Sequence, residues 1–161
     1  MIYLTVGAHF QGFDRLLREA DALAPEWGEE VIAQTGRSLY APRNMKAVAW
    51  LGYEEALRHI QQARFIIAHA GIGTIINAKK FGTPLVLVPR RKEFGEHTND
   101  HQLEIVQALQ QEQRPGIFTA EPLSTLKAVV QAVLNGPQEK KPGDFSGRDR
   151  IKILIADFML H

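Results

Sequence analysis

The sequence predicts a doubly wound α/β fold, Rossmann-like in the broad sense, with a mostly parallel sheet of about six strands. Short apolar runs of strand length alternate along the chain with longer segments whose apolar residues recur at helical spacing. The short runs are apolar nearly throughout, which is typical of parallel strands covered on both faces. The 161 residues, 45% of them hydrophobic and 23% charged, suit one folded domain.

Each element follows from this alternation. The predicted strands are 2–6, 31–33, 47–51, 65–68, 85–88 and 116–118. The predicted helices are 13–24, 54–63, 74–81, 98–111 and 123–134, and Gly82 is expected to end the third of them in the left-handed conformation. After a polar stretch, the apolar-striped segment 148–161 predicts a C-terminal helix, so we expect a single domain over 1–161.

Composition excludes several classes of function. The net charge of +1 provides no basic field, so nucleic acid is not an expected partner. The chain has no cysteine, which excludes disulfides and thiolate metal sites and suits a reducing compartment. Its apolar runs are too short for a membrane helix and its first residues lack the features of a signal peptide. We therefore expect a cytoplasmic protein.

Two glycine-containing turns follow predicted strands, where ligands of parallel sheets bind. Gly7 follows the first strand, and Gly71 and Gly73 lie between the fourth strand and the helix that Thr74 is expected to cap. Free backbone N–H groups at such a helix start can bind a diphosphate. The alternative is that these are structural turns, and His69 taken alone is more often a structural histidine than a catalytic one.

A third segment, 89–102, is rich in side chains that can bind ligands. Arg90, Arg91 and Lys92 can complement phosphate, Arg with paired donors. The run 100–102 offers hydrogen bonds to sugar hydroxyls. His97 and His101 have the spacing of two metal ligands on a helix, but no nearby residue completes such a site. The alternative is a solvated, charged loop.

These motifs together resemble the C-terminal domain of family 28 glycosyltransferases over roughly residues 2–134. The resemblance rests on Thr5-Val6-Gly7-x-His9-x-Gln11-x-Phe13-Asp14, Gly71-x-Gly73-Thr74, and the motif from Gly82-x-Pro84 through Pro89-Arg90-Arg91 to Gly95-Glu96-His97-x-x-Asp100-His101-Gln102. Within the family it is most similar to the stand-alone type, which includes PssE-like subunits of exopolysaccharide synthesis and the catalytic subunit of the dolichol-linked UDP-GlcNAc transferase. MurG, the peptidoglycan GlcNAc transferase, is the single-chain relative.

The resemblance implies the donor-binding half of a GT-B glycosyltransferase. Carried onto this sequence, it implies the following contacts with a UDP-sugar: diphosphate near Gly7, His9, Gln11, His69, Gly71, Gly73, Thr74, Arg90 and Arg91; uracil near Gly52 and Tyr53; ribose at Asn77; and sugar at Asp100, His101 and Gln102. Asn77 departs from the family pattern, which has an acidic residue there. A neutral amide is expected to hold the ribose hydroxyls more weakly than a carboxylate.

The resemblance also implies an activity. We expect a catalytic, donor-binding subunit of a two-component hexosyltransferase that acts on a lipid-linked saccharide acceptor in polysaccharide or glycolipid synthesis. No metal or cofactor is expected. The partner would be a membrane-anchored, acceptor-binding PssD-like subunit, which would hold this chain peripherally at the cytoplasmic membrane face. A general base is not evident in the chain, and His9 is the only candidate. In the single-chain relatives a candidate base lies on the other domain, so this chain alone is expected to show little or no transfer.

Alternatives remain at this point. The segment 148–161 either docks the partner or packs on its own sheet, and an exposed apolar face could cause self-association. The chain could instead be a non-catalytic UDP-sugar-binding or enhancer subunit, as Asn77 and the lack of an evident base would allow. A different sugar-nucleotide enzyme on the same fold, such as an epimerase, is a second alternative, although it would need a further domain.

Overall fold

The computed structural model describes residues 1–137 and 139–143. The predicted C-terminal helix, 148–161, lies outside the described residues. Within them the six strands are β1 (Ile2–Thr5), β2 (Val31–Gln34), β3 (Lys46–Val48), β4 (Ile66–His69), β5 (Leu85–Val88) and β6 (Ile117–Thr119). The α-helices are α1 (Asp14–Leu23), α2 (Tyr53–Gln62), α3 (Ile72–Phe81), α4 (His101–Glu112) and α5 (Leu126–Asn135), with short 3-10 turns at Ala24–Glu26, Lys92–Phe94 and Leu123–Thr125.

The sheet is parallel throughout and has the order β3-β2-β1-β4-β5-β6. This confirms the predicted doubly wound fold. Strand order reverses between β1 and β4, where Tyr3 pairs with Ile66 and Thr5 with Ala68. In such sheets the crevice beyond the carboxyl ends of the strands at this reversal is the usual ligand site.

Each face of the sheet is covered by its own helices, which explains why the strands are apolar on both sides. Alternate strand residues such as Leu4 and Ile67 pack with α1 and α5, including Leu16 and Val130. The intervening residues on the other face pack with α2, α3 and α4. That second core contains Tyr3, Ile60, Ile66, Ile75, Ala78, Leu85, Leu87, Val106 and Leu109.

Most differences from the predicted elements are shifts of their ends. The third strand is shorter than predicted, and helix α4 begins at His101 instead of residue 98. Gly82 has φ 67° and ends α3 in the left-handed conformation, as predicted. Within the described part of the chain, no helix combines the length and the apolar character needed to cross a membrane.

Candidate functional site

A cleft of about 360 Å³ opens beyond the carboxyl ends of β1 and β2, between helices α2 and α3. It brings together five residues that the sequence assigns to the site: Gly7, Tyr53, Gly73, Thr74 and Asn77. The remaining lining residues are Tyr3, Thr5, Ala8, Gln34, Leu51, Ala56, Leu57 and Ile60. The cleft therefore lies beside the point where the strand order reverses, with apolar walls and a partly polar floor.

The start of helix α3 supplies the cleft with backbone donors. Gly71, in extended conformation, is the N-cap, and the first helical hydrogen bond runs from Ile75 N to Gly71 O at 3.1 Å. The N–H groups of residues 72–74 consequently have no acceptor within the helix. Together with the helix dipole they form a site suited to an anion such as phosphate.

This geometry corrects the expected role of Thr74. The helix begins at Ile72, so Thr74 lies in its first turn and its side chain makes no capping hydrogen bond. An extended glycine caps the helix because the chain arrives from β4 close to His69 and leaves no room for a side chain at position 71. Thr74 lines the cleft, as does Asn77 one turn later.

His69, the last residue of β4, fills the space between the two glycine turns. A Cβ at Gly7 would lie 2.4 Å from His69 Nε2, and a Cβ at Gly71 would lie 2.1 Å from it. Burial, reinforced by the positive charge of Arg90, lowers the pKa of His69 to about 3. A neutral imidazole therefore packs against both turns, and its contacts are those of a supporting residue.

His9 follows Gly7 on the loop after β1, and its ring contacts the ring of His97 on the loop after β5. Their ring centroids are 4.4 Å apart, and the His9 ring also stacks on Phe10. Burial, together with His97 and Arg90, lowers the pKa of His9 and favours its neutral form. His9 Nδ1 accepts a hydrogen bond from Gln11 N at 3.1 Å.

This arrangement assigns the proton of neutral His9 to Nε2, since Nδ1 is the acceptor. In that tautomer Nε2 donates a hydrogen bond and has no lone pair to accept a proton. The expectation that His9 is the general base does not fit this geometry. Gln11, two residues later, contributes its backbone to the same loop and lies outside the cleft lining.

Arg90 does not present its guanidinium to a ligand, contrary to the sequence prediction. It is fully buried, and its Nη1 donates to the carbonyl oxygens of Gln11, Gly12 and Glu96 at 2.9 to 3.0 Å. Its Nη2 donates to the carbonyl oxygen of Val6. Arg90 therefore joins the loop after β1 to the loop after β5, and burial lowers the pKa of Arg90 to about 10.

Arg91 is also engaged by the protein. Its guanidinium forms ion pairs with Glu93 at 2.7 Å and with Glu121 at 2.9 Å, the latter where the chain leaves β6. Its backbone N–H donates to Glu96, whose buried carboxylate is paired with Arg15. Of the three adjacent cations, only Lys92 has an exposed side chain. The guanidinium groups of Arg90 and Arg91 make contacts within the protein instead.

The three residues expected to face the sugar differ in their environments. Asp100 is exposed at the N-cap of α4, where Oδ1 accepts from Lys92 N at 2.9 Å. His101 pairs with Glu104 at 3.2 Å. Gln102 is buried, and its Oε1 accepts from the backbone N–H groups of Ala70 and Arg90, each at 3.1 Å. Gln102 thus ties together the ends of β4 and β5, and its Oε1 is not free for a sugar.

Three polar residues of the cleft floor are absent from the predicted site. Tyr3, Thr5 and Gln34 lie on neighbouring strands, with Thr5 and Gln34 paired directly in the sheet. The sequence feature that could have identified them is Gln34, a polar residue at the carboxyl end of an otherwise apolar strand. Gly52 of the predicted site is the N-cap of α2, next to the cleft residues Leu51 and Tyr53.

Comparison with known proteins identifies the family. Residues 1–146 match the glycosyltransferase family 28 C-terminal domain. The chain belongs to this family. The family 28 match includes both glycine turns and all the cleft residues described above.

Two curated relatives share part of the sequence of this family 28 domain. The human UDP-N-acetylglucosamine transferase subunit ALG13 is 30% identical over 124 residues, which cover 69% of this chain and 10% of that protein. The mouse protein of the same name is 30% identical over 87 residues, 51% of this chain and 7% of that protein. The chain thus corresponds to a small part of each relative's length.

Solved structures with the same fold are GT-B glycosyltransferases. The spinosyn forosaminyltransferase SpnP superposes with a TM-score of 0.65 at 16% identity, covering 99% of this chain and 39% of that one. The glycosyltransferase VinC in complex with dTDP gives 0.58 at 17% identity, covering 98% and 37%. The family 28 chain therefore has the fold of one portion of a GT-B enzyme, as its sequence predicts.

Proposed function

We propose that the chain binds the UDP-sugar donor of a glycosyltransferase and is the donor-binding, catalytic subunit of a two-component hexosyltransferase. The observation that carries this proposal is the cleft itself. Gly7, Tyr53 and the α3 residues Gly73, Thr74 and Asn77 come from three separate parts of the chain and line one cavity. Membership of glycosyltransferase family 28 supplies the reaction class.

The geometry supports one orientation of the donor. The diphosphate lies at the start of α3, where the N–H groups of residues 72–74 and the helix dipole stabilise negative charge. That charge increases when UDP leaves, so these donors stabilise the transition state more than the bound substrate. The ribose lies beside Asn77 and the uracil beside Leu51 and Tyr53.

The acceptor side is proposed to come from a partner. In the described residues His9 offers a donor at Nε2, so we assign the general base to an acceptor-binding subunit. Support comes from the human and mouse relatives, which are named as transferase subunits. The proposed acceptor is a lipid-linked saccharide, and the partner would hold this chain peripherally at the cytoplasmic face of a membrane.

Reconstitution tests this proposal. The isolated chain is expected to bind UDP with EDTA present and to transfer little or no sugar from a UDP-sugar panel to a lipid-linked acceptor. Adding the acceptor-binding subunit should restore transfer, and Gly73→Trp, which places a large side chain at the proposed diphosphate site, should abolish it. Efficient turnover by the isolated chain would contradict the two-component proposal, and absence of UDP binding would contradict the donor site.

A second candidate is a non-catalytic subunit that binds the UDP-sugar and enhances a partner enzyme. The neutral amide of Asn77 and the donor tautomer of His9 favour it. The reconstituted pair separates the two functions. A catalytic subunit predicts that variants blocking the cleft abolish all transfer, whereas an enhancer predicts that transfer by the partner persists at a reduced rate.

A further inference from the structure

A hydrogen-bond chain runs along the floor of the cleft. Gly7 N donates to Thr5 Oγ1 at 3.1 Å, and Thr5 Oγ1 in turn donates to Gln34 Oε1 at 2.9 Å. The hydroxyl of Tyr3 donates to the same Gln34 oxygen at 3.2 Å. Gln34 is only 8% exposed, yet it lines the cleft.

This series of hydrogen bonds assigns the oxygen of the Gln34 amide to the side of Tyr3 and Thr5. Since Thr5 Oγ1 accepts from Gly7 N, its own proton needs an acceptor, and Gln34 Oε1 provides it. Within residues 1–137 and 139–143 the amide nitrogen of Gln34 has no hydrogen-bond acceptor, and Gln34 lines the cleft, so we infer that the nitrogen is directed into it. With its oxygen accepting two hydrogen bonds and its nitrogen without an acceptor in the protein, this amide can donate to a ligand in the cleft.

We propose that Gln34 is a nucleobase-selecting residue, whose amide nitrogen donates a hydrogen bond to the 4-carbonyl oxygen of the donor's pyrimidine base. This inference rests on the proposed function. With the diphosphate at the start of α3 and the ribose at Asn77, the base edge farthest from the ribose extends toward β2. In uracil and thymine that edge carries a carbonyl oxygen, and in cytosine it carries an amino group.

The cleft floor is therefore expected to distinguish uracil from cytosine by whether the base accepts or donates a hydrogen bond at position 4. The Gln34 nitrogen is a donor that pairs with the carbonyl of uracil and leaves the amino group of cytosine facing another donor. An unpaired polar group in such a buried position discriminates more strongly than a missing apolar contact. Tyr3 and Thr5 act as positioning residues, because they hold the amide oxygen away from the cleft.

Calorimetric titration of the full chain with UDP, dTDP and CDP tests the proposal. The unsubstituted protein should bind UDP and dTDP on the order of 10-fold more tightly than CDP. Gln34→Glu places an acceptor in the cleft and should shift the UDP-to-CDP preference toward CDP on the order of 10-fold or more. Gln34→Met removes both hydrogen-bonding atoms and should leave little preference.

Two further variants provide a control and a test of the positioning role of Tyr3. Gln107→Glu makes the same chemical change on the exposed face of α4 and should leave the preference unchanged. Tyr3→Phe retains the ring and removes one hydroxyl that orients the amide, so UDP preference should decrease a few-fold. A UDP-to-CDP ratio that stays the same in Gln34→Glu, Gln34→Met and Tyr3→Phe overturns the role of Gln34. Failure of the unsubstituted protein to bind UDP overturns the proposed function as well.

Discussion

The imidazole of His69 occupies the space where a side chain at Gly71 would begin. A Cβ there would lie 2.1 Å from His69 Nε2, closer than any unstrained contact. Gly71 has φ −84° and ψ 135°, a conformation open to every residue, so glycine is favoured there by the His69 ring and not by the backbone conformation. The position of this ring therefore limits the side chains that the turn after β4 can carry.

The first prediction concerns this contact. Gly71→Ala should lower the free energy of unfolding by about 1–3 kcal/mol, because the new methyl group displaces a ring packed between two turns. Urea denaturation measures the change. Adding His69→Ser should recover most of the loss, since the smaller side chain vacates that space.

Gly73→Ala provides the matched control for stability. A Cβ there meets nothing within 4 Å, and alanine has a higher helix propensity than glycine. This variant should be at least as stable as the parent. Equal losses for Gly71→Ala and Gly73→Ala would show that His69 does not constrain the turn.

The second prediction is a pH dependence of stability. The pKa of His69 is about 3 when folded, because of burial and the nearby Arg90 charge, against about 6.5 when unfolded. Between these values the unfolded chain binds more protons, so stability is full above about pH 6.5 and falls as pH decreases. His69 should contribute up to about 1.4 kcal/mol of loss per pH unit.

Denaturation curves between pH 7.5 and pH 5 test this sign. That window lies above the ordinary carboxyl range, so Asp21 and Glu29, whose net pKa shifts are downward, stay ionised throughout. His69→Gln removes this group and should reduce the dependence, and the part that remains comes from His9 and His97, whose pKa values are also lowered. Parallel pH profiles for the parent and the variant would refute the assignment.

The sequence predicts the sheet well because its strands are buried on both faces and so stand out as short apolar runs. The sequence predicts the start of α3 less well. The actual N-cap, Gly71, has no side chain that would mark it as a cap, whereas Thr74 is a residue type that often caps helices. The predicted role of Arg90 as a phosphate ligand also differs from its structural role. A guanidinium that binds four backbone carbonyls, three of them in the distant loop after β1, cannot be distinguished by sequence from one that binds phosphate.

The third prediction addresses this buried arginine. Lysine cannot reach four carbonyl oxygens from one position, so Arg90→Lys should lower the free energy of unfolding by about 3 kcal/mol. It should also weaken UDP binding, because the loop from Gly7 to Gly12 loses its support. Arg58→Lys, on the exposed side of α2, should change stability by less than about 0.5 kcal/mol. Similar stabilities for the two variants would contradict the structural role of Arg90.

The fourth prediction concerns Asn77, which lines the cleft one turn into α3. Asn77→Asp replaces a neutral amide with a carboxylate that accepts from both ribose hydroxyls with charge assistance. UDP should bind about 3- to 10-fold more tightly, as measured by calorimetry. The same added charge at Gln107 should have no effect, and weaker UDP binding by Asn77→Asp would place the ribose elsewhere.

The proposed function depends most on the cleft between α2 and α3 being the donor site. Calorimetric titration with UDP, UDP-GlcNAc, UDP-Glc, UDP-Gal and UDP-glucuronate, with EDTA present, tests this directly. UDP and at least one UDP-sugar should bind saturably with one-to-one stoichiometry, and this binding should be lost when Gly73→Trp fills the cleft of a folded protein. Absence of binding, or binding that Gly73→Trp leaves intact, would contradict the assignment of the cleft as the donor site.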